Sequence, residues 1–314
     1  METEILNHYS KINFNFLSGK VKKNFPLASM TWFKVGGPAE LFFQPRDLKD
    51  LQKFLKSFHS KIPLFVIGAG SNSLVRDGGI EGVVLNLGKN FSKISIEEDC
   101  FIKVGAGQNC IKLARKLAEL GIGGLEFFSG IPGSVGGAIK MNAGAYNSQT
   151  SDRLVSISSL DREGNKKKLN VNDFVMEYRN TNFPKDHIFY EALFDCDLGN
   201  KYDLLDQISK LNERRKETQP IKDSTGGSTF KNPNNYKAWK LIRESGCASL
   251  RVGGAHVSKV HSNFIVNDGT ATSNDIEELG EKIRKKVRKT FGINLEWEIN
   301  IVGNKKKFRK NYYD

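Results

Sequence analysis

The segment from Gly124 to Tyr146, GLEFFSGIPGSVGGAIKMNAGAY, constrains the fold more than any other part of the chain. Its glycines stand at close intervals, so the main chain can approach a ligand without an intervening Cβ. Pro132 stiffens the loop, and Ser134 and Asn142 add short polar groups. Such a segment offers clustered backbone N–H donors, which favours binding of a pyrophosphate. A tightly packed turn with a small-residue helix contact is the alternative interpretation. The glycines concerned are Gly130, Gly133, Gly136, Gly137 and Gly144.

A second glycine-rich loop, GAGSNSLVRDGG, follows a strand predicted to begin at Pro63. Gly68 and Gly70 suggest the dinucleotide-binding fingerprint, which also needs a third glycine, an immediate helix and an acid about 20 residues on. Ser73 stands at the third position, the next residues predict a turn and a strand, and no acid occurs around residue 90. The sequence therefore disfavours a Rossmann fold, although the loop still offers N–H groups and polar side chains to an anion.

The composition is typical of a globular protein, with 39% hydrophobic and 26% charged residues in a chain of 314. No apolar run is long enough to span a bilayer, and the early acids and polar residues are unlike a signal peptide. The four cysteines are scattered, without metal-binding spacing. We therefore expect reduced thiols, a cytoplasmic location, no bound metal and no membrane partner.

The net charge of +13 raises the question of nucleic-acid binding. The lysines are spread along the whole chain, and no nucleic-acid motif accompanies them. The densest cluster is the terminal NKKKFRKNYYD, which predicts a solvated tail. We expect no nucleic-acid partner and a monomer, and a polyanionic small ligand would also profit from the positive field.

Helical spacing and capping signals predict helices that begin at Asp47, at Cys110, over DFVMEYR and after a cap at Ser273 or Asn274. Strands separate these helices without regular βαβ repetition, so the predicted class is α+β. The character of the sequence changes near Lys201. We expect a lead-in over 1–30, one domain over 31–200, a second over 201–303 and a basic tail over 304–314.

Seven motifs occur in one order along the chain, and together they are specific: TWFKVGGPAE, VIGAGSNSLVRDGG, GLEFFSGIPGSVGGAIKMNAGAY, EYRNTNF, GSTFKNP, GGAHVSKVHSNFIVN with GTATSNDI, and LEWEINIVG. In these motifs the chain resembles the UDP-N-acetylmuramate dehydrogenase family of cell-wall synthesis, from Thr31 to Gly303. The resemblance implies an FAD-binding domain of the vanillyl-alcohol-oxidase (PCMH) type over the first domain and a smaller α+β substrate-binding domain after it. The short run from Tyr178 to His187 resembles the variety that lacks an extra tyrosine-bearing loop.

The resemblance also implies an activity. Members of this family are bacterial oxidoreductases that act on a CH–CH group with NADP as acceptor. Non-covalent FAD takes hydride from NADPH and gives it to the enolpyruvyl ether of UDP-N-acetylglucosamine-enolpyruvate, forming UDP-N-acetylmuramate for peptidoglycan. NADPH and the UDP-sugar are expected to use one site in turn.

Three residues match the catalytic positions of the family. Arg179, in EYRNT, is expected to grip a carboxylate and to stabilise an enolate. Ser228, in GSTFKNP, is expected to donate a proton, for which it needs electrostatic help. Glu298, in LEWEINIVG, matches the second acid, with Glu296 as the alternative on the same face of the predicted strand. Asn300 stands where the family often has an arginine.

The remaining site residues come from the same motifs. Both glycine-rich loops are expected to bind FAD, through Ile67, Gly68, Ala69, Gly70, Ser71, Asn72, Ser73, Gly130, Pro132, Gly133, Ser134, Gly136, Gly137, Asn142 and Gly144. The UDP-sugar is expected to contact Lys216, Lys231, Asn232 and Asn263. His261 is expected to lie behind the substrate contacts or to be a satisfied buried histidine.

Two other function classes remain open at this level. An alcohol oxidase of the same FAD fold often tethers its flavin through histidine or cysteine, and neither residue occurs in the glycine-rich loops. A non-catalytic phosphate-binding protein would purify colourless, whereas a flavoenzyme would be yellow.

Overall fold

The computed structural model describes residues 14–58, 62–184 and 186–306. The greater part of the predicted basic tail and the first thirteen residues of the predicted lead-in lie outside the described residues. None of the described helices is long and apolar enough to cross a membrane.

The described residues form two compact units, and the chain passes between them more than once. The first unit takes the described residues of Met1–Lys23, Leu41–Ala69 and Gly82–Leu211; the second takes those of Asn24–Glu40, Gly70–Glu81 and Asn212–Asp314. This differs from the predicted linear division at residue 200. The segment Gly70–Glu81 belongs to the second unit because its strand pairs with a strand near the end of the described chain. Ser73 lies opposite Asn300 in this parallel ladder.

The α-helices of the described residues are α1 (Leu48–Ser57), α2 (Cys110–Glu119), α3 (Val135–Lys140), α4 (Lys201–Thr218), α5 (Ala238–Glu244) and α6 (Ser273–Phe291). The strands are β1 (Lys20–Pro26), β2 (Pro38–Gln44), β3 (Leu64–Val66), β4 (Ser73–Val75), β5 (Ile80–Leu85), β6 (Ile94–Ile96), β7 (Phe101–Gly105), β8 (Ile122–Gly123), β9 (Gly144–Ala145), β10 (Ser148–Gln149), β11 (Leu154–Leu160), β12 (Lys166–Asn170), β13 (Met176–Glu177), β14 (Asn180–Thr181), β15 (Ile188–Asp195), β16 (Asp197–Leu198), β17 (Ser224–Thr225), β18 (Arg251–Val252), β19 (Ala255–Val257), β20 (Ile265–Asn267) and β21 (Asn300–Val302). This mixture confirms the predicted α+β class.

A five-stranded antiparallel sheet of order β12-β11-β15-β7-β6 forms the centre of the first unit. Helix α2 contributes Leu113 and Leu117 to the same buried cluster as Val104 and Ile157 of the sheet. The helix begins where the Asn109 side chain accepts a hydrogen bond from the N–H of Lys112. The helix ends before Gly121, which has a φ of +72°.

A second core of the first unit lies under α1. The Asp47 side chain caps this helix by accepting from the N–H of Asp50, as predicted. Phe54 of the helix stacks on Phe43 of β2 with ring centroids 4.4 Å apart. Strand β3 runs parallel to β5 and leads directly into the first glycine-rich loop.

The second unit contains a four-stranded antiparallel sheet of order β17-β20-β19-β18. Helix α6 buries Ile276, Leu279 and Ile283 in the same core as Ile265 of that sheet. The cap of α6 is Thr272, which forms a capping box with Asp275, and not the predicted Ser273 or Asn274. Thr272 is the cap because its hydroxyl accepts from the N–H of Asp275 while the Asp275 carboxylate accepts from the N–H of Thr272.

The prediction of a helix over DFVMEYR was wrong. Asp173 ends a 3-10 turn, where its carboxylate accepts from the N–H of Asn170. The chain then forms the β13–β14 hairpin, with Tyr178 and Arg179 as its two-residue loop. A continuous helix is excluded because the Asp173 carboxylate closes the 3-10 turn and because Arg179 has a positive φ of 55°.

Candidate active site

The two glycine-rich loops meet in the first unit at Gly68 and Ser134. A Cβ built on Gly68 would lie 2.5 Å from Ser134 Oγ. Any side chain at position 68 must therefore displace that hydroxyl. The structure thus brings together two segments that the sequence assigned to one ligand.

Ser134 also caps the short helix α3, because its Oγ accepts from the N–H of Gly137 at 3.3 Å. Gly137 is exposed, and a Cβ there would touch only the same hydroxyl, at 3.4 Å. The main chain at Gly137 is therefore open to a ligand.

Gly136 has a different role from the one predicted. Its N–H donates to the main-chain oxygen of Ala106 at 2.8 Å, and a Cβ there would lie 3.1 Å from both Ala106 Cβ and Ala106 O. The glycine is needed because α3 packs closely on the residue that follows β7. The expectation that the Gly136 amide binds pyrophosphate is corrected accordingly, since this donor is already used.

Asn86 was missed by the sequence reasoning. Its buried side-chain nitrogen donates to the main-chain oxygens of Ile67 at 2.8 Å and Gly68 at 3.0 Å. Its Oδ1 accepts from Gln44 Nε2 at 2.8 Å. The amide therefore fixes the start of the first glycine-rich loop. A lone asparagine directly after the apolar strand VVL was the available signal.

Ser129, beside Gly130, is fully buried, and its hydroxyl has no hydrogen-bond partner within the described part of the chain. An unsatisfied buried polar group costs about 1–3 kcal/mol. A bound group that supplies the missing partner would remove this cost. The observation favours a ligand at this end of the glycine-rich segment.

Arg179 is held by the glycine-rich segment. Its Nη2 donates to the main-chain oxygen of Gly144 at 2.9 Å, and the guanidinium also lies over the Tyr178 ring at 5.0 Å. Two more bonds fix the hairpin: Asn142 Nδ2 donates to the oxygen of Glu177 at 3.2 Å, and Thr181 Oγ1 to that of Lys140 at 2.8 Å. Left-handed backbone at a non-glycine residue, fixed by its surroundings, is a feature that clusters at functional sites.

Two residues predicted to bind cofactor have structural partners of their own. Asn142 is fully buried, accepts from the N–H of Ser151 and donates to Gln149 as well as to the hairpin. A Cβ on Gly144 would lie 2.7 Å from the oxygen of Ser148. Both therefore build the support for Arg179, and the structure offers no free polar end of Asn142 for a cofactor.

Ser228 and Glu298 lie on neighbouring segments of the second unit. Glu298 N donates to the main-chain oxygen of Thr229 at 2.9 Å, and Lys231 N donates to that of Glu296 at 2.9 Å. Between these bonds, Phe230 pairs with Trp297, and their rings are 5.0 Å apart. This short pairing places the main chain of Glu298, the predicted second acid, beside Thr229, the residue that follows the predicted proton donor Ser228.

The structure distinguishes the two glutamates. The Glu296 side chain is 75% exposed, and its carboxylate pairs with Lys231 Nζ at 3.4 Å. Glu298 is half-buried. The regular strand starts only at Asn300. Burial strengthens electrostatic interactions, which favours Glu298 for proton chemistry.

The predicted substrate residues divide by exposure. Lys216 is exposed on α4, and Asn232 accepts from Ala238 N at 2.9 Å at the start of α5. Asn263 is buried and exchanges two bonds with the main chain of Phe230, at 2.8 and 3.0 Å. This geometry supports a positioning role for Asn263 rather than direct contact. His261 is half-buried, its Nδ1 accepts from Asn263 N, and partial burial lowers the pKa of this histidine.

The second half of the first glycine-rich loop belongs to the second unit. Gly70 has a φ of +64°, and a Cβ there would collide with the main-chain oxygen of Met30. The next three residues, Ser71 to Ser73, are half-buried. Asn72 donates through Nδ2 to the main-chain oxygen of Glu298 at 3.0 Å.

Known proteins match both halves of the chain. A family model described as FAD binding domain matches residues 39–170, and one described as UDP-N-acetylenolpyruvoylglucosamine reductase, C-terminal domain, matches residues 219–302. The first match confirms the predicted FAD-binding domain.

Whole-chain relatives agree with these models. The chain is 46% identical over 288 residues to the UDP-N-acetylenolpyruvoylglucosamine reductase of Parvibaculum lavamentivorans, covering 92% of this chain and 93% of that one. It is 43% identical over 292 residues to the enzyme of that name from Rickettsia bellii, covering 93% and 97%. The crystal structure of the reductase from Thermus caldophilus matches with a TM-score of 0.78 at 32% identity, covering 90% of this chain and 99% of that one. The chain therefore belongs to the UDP-N-acetylenolpyruvoylglucosamine reductase family.

Proposed function

We propose that this chain is an NADPH-dependent flavoenzyme that reduces the enolpyruvyl ether of UDP-N-acetylglucosamine-enolpyruvate to UDP-N-acetylmuramate in peptidoglycan synthesis. The observation that carries the proposal is the Arg179 hairpin, which is built on the same glycine-rich segment that meets the first glycine-rich loop. An arginine held in this way fits a reaction on a substrate that carries a carboxylate. A non-catalytic phosphate-binding protein has no need of such a support.

Residues of the first unit fit a bound FAD. Gly68 and Gly137 leave the main chain accessible, and Ser129 offers a buried hydroxyl that lacks a partner among the described residues. The bound flavin would supply hydride transfer from NADPH to the enolpyruvyl carbon. Neither of the two glycine-rich stretches contains a histidine or a cysteine, the residues to which a flavin could be covalently attached. This supports non-covalent binding of FAD.

Arg179 is assigned to the substrate carboxylate. A guanidinium binds a carboxylate bidentately and keeps its charge at any physiological pH. As negative charge develops beside the carboxylate, the same group stabilises it electrostatically. The bond to Gly144 O and the contact with Tyr178 restrict the guanidinium before substrate arrives, which lowers the cost of orienting it.

Ser228 is assigned to deliver the proton, and Glu298 to support that delivery. A serine hydroxyl is a weak acid, so it requires a neighbour that returns a proton or stabilises the charge. The bond between Glu298 N and Thr229 O holds the two segments in register. Lys231 and Asn232, in the segment that continues from Ser228, are assigned to the UDP-sugar together with Lys216. We further propose that NADPH and the UDP-sugar bind in turn, and that the protein acts in the cytoplasm as a monomer.

The test separates the two half-reactions by anaerobic stopped-flow at the flavin absorbance band. The purified protein should be yellow. Ser228→Ala should leave flavin reduction by NADPH nearly intact, because that step needs no proton from Ser228. Reoxidation by the enolpyruvyl substrate should slow by about 10²–10⁴-fold, the usual effect of losing a general acid.

Two outcomes would contradict the proposal. A colourless protein that takes up no added FAD is not a flavoenzyme. If Ser228→Ala slows both half-reactions equally, Ser228 shapes the site and the proton comes from another group. Ser262→Ala is the matched control, since that hydroxyl bonds to Trp239 O within the same unit and should change neither half-reaction.

A further inference from the structure

Asn72 brackets the main chain at Glu298. Its side-chain Nδ2 donates to the oxygen of Glu298 at 3.0 Å, and its own main-chain oxygen accepts from the N–H of Asn300 at 3.0 Å. All three residues lie in the second unit. The contact thus joins the first glycine-rich loop to the segment that carries the predicted second acid.

The side-chain bond replaces a missing rung of the sheet. Strand β4 pairs with β21 from Ser73 opposite Asn300 onwards, and Glu298 lies just before this ladder in irregular backbone. Without a partner there, the oxygen of Glu298 would have no ladder bond. The side-chain amide of Asn72 supplies this hydrogen bond, so a side chain extends the ladder to Glu298.

Both main-chain polar groups of Glu298 are consequently bonded. Its N–H donates to Thr229 O, next to Ser228, and its oxygen accepts from Asn72. The main chain of a residue sets the direction of its Cα–Cβ bond. These two bonds therefore fix the position and direction from which the Glu298 side chain extends. Loss of either bond would leave one end of the residue free to rotate.

We propose that Asn72 is a positioning residue for Glu298 and acts in the proton-delivery half-reaction through its side-chain amide. This inference rests on the proposed function, in which Glu298 supports the proton donor. It replaces the expectation that the Asn72 side chain binds FAD. It predicts that substitution affects the reaction of substrate with reduced flavin and spares cofactor binding.

The experiment compares Asn72→Ala and Asn72→Asp with the parent holoenzyme. Flavin reduction by NADPH and the FAD dissociation constant should stay within about twofold, whereas reoxidation by the enolpyruvyl substrate should slow at least about tenfold, as when a catalytic group is misplaced by an ångström. Asn72→Asp keeps the shape of the side chain, so it carries the test if Asn72→Ala does not fold.

The pH profile of reoxidation gives a readout that a merely structural role would not move. The limb of the pH profile that reports the ionisation of Glu298 is identified as the limb that is absent in Glu298→Gln. An added carboxylate beside Glu298 disfavours its ionised form, so Asn72→Asp should move this limb to higher pH, while Asn72→Ala should leave it in place. Asn304→Ala is the control, because that amide binds Glu81 at 2.8 Å on the surface of the same unit and should change nothing.

Three results would overturn the inference. A large loss of FAD affinity in both Asn72 variants would make the side chain a cofactor ligand. Equal slowing of both half-reactions would make it a general structural residue, and unchanged reoxidation would remove any role in positioning Glu298. Failure of the proposed function looks different, because Glu298→Gln would then reoxidise at the parent rate whatever Asn72 does.

Discussion

The guanidinium of Arg179 donates to the main-chain oxygen of Gly144 at 2.9 Å, across a segment in which Gly144 tolerates no Cβ. The glycine therefore serves the arginine: a larger residue at 144 would meet the oxygen of Ser148 and disturb the acceptor. Part of what makes the segment glycine-rich is thus the support of the Arg179 side chain, for which we propose a catalytic role. Gly136 instead serves close packing on Ala106, and Gly68 and Gly137 are exposed main-chain positions, which we propose give access to the ligand.

Arg179→Lys should therefore be a severe change despite the conserved charge. A lysine lacks the planar fork and cannot bind both a carbonyl and a carboxylate in the same geometry. We expect reoxidation by the enolpyruvyl substrate to slow at least about tenfold, since losing a charged hydrogen bond costs about 1.5–3 kcal/mol. Flavin reduction by NADPH, measured in the same stopped-flow experiment, should be unaffected.

Arg179→Gly and Arg179→Ala separate the side chain from the backbone. Both lose the guanidinium and should lose the same activity. Only glycine adopts a φ of +55° without strain, so Arg179→Gly should be the more stable of the two by about 1 kcal/mol. Equal melting temperatures would show that the left-handed backbone at this position carries no strain.

Gly136 and Gly137 offer a matched pair of alanine substitutions. Gly136→Ala should lower the melting temperature, because its Cβ would press on Ala106 and Phe189 at 3.1–3.3 Å. Gly137→Ala should keep or raise it, since alanine exceeds glycine in helix propensity by about 1 kcal/mol and its Cβ has room. Calorimetry of the apoproteins measures the difference. The sequence predicts Gly136 only as a cofactor contact, and the close approach to Ala106 makes it a packing position.

FAD titration of the same two variants tests whether the cofactor approaches the main chain at these positions. Gly137→Ala should weaken FAD binding with the fold intact, because a methyl group then occupies exposed main chain. If Gly137→Ala binds FAD as tightly as the parent, this residue does not contact the cofactor.

Gly68 and Ser134 should be coupled in a double-mutant cycle. Gly68→Ala places a Cβ 2.5 Å from Ser134 Oγ and should weaken FAD binding by moving one loop against the other. Ser134→Ala removes that oxygen at the cost of a helix cap, about 1 kcal/mol. The double variant should bind FAD more tightly than Gly68→Ala alone, with a coupling free energy of at least about 0.5 kcal/mol. Additive effects would mean that the two loops do not interact through this pair.

The candidate site residues could be assigned from the sequence, whereas their contacts could not. Gly68, Gly137, Ser228 and Glu298 could be placed from motifs, because glycine patterns and motif order are local properties. Motif position favours Glu298 over Glu296, and the structure adds a difference in exposure that two residues on one predicted face do not reveal. The chain's interleaving between two units was hidden because it depends on strand pairing over more than 200 residues.

The errors have a common physical cause. The segment from Asp173 to Arg179 has apolar spacing compatible with a helix, yet the cap formed by Asp173 and a hydrogen bond from the distant Asn142 to Glu177 O stabilise a hairpin instead. Gly136 was assigned to a ligand because the sequence does not show that Ala106 lies against it. Tertiary contacts override local propensity in both cases.

Ser129→Ala should have opposite effects on the apoprotein and on cofactor binding. Removing a buried hydroxyl that lacks a partner in the described residues relieves an unpaid desolvation cost, so the apoprotein should gain stability, by about 1 kcal/mol. If FAD supplies the missing partner, the same change removes a bond from the complex. The FAD dissociation constant should then rise about three- to tenfold, corresponding to 0.7–1.4 kcal/mol.

Ser159→Ala is the control for this prediction. Ser159 is equally buried in the first unit, but its hydroxyl is bonded to His187 Nδ1 at 3.0 Å. Its loss should lower the stability of the apoprotein and leave FAD affinity unchanged. Calorimetry of both apoproteins and fluorescence titration with FAD give the four numbers required. A Ser129→Ala protein that is less stable and binds FAD normally would show that this hydroxyl has a partner inside the protein and none in the cofactor.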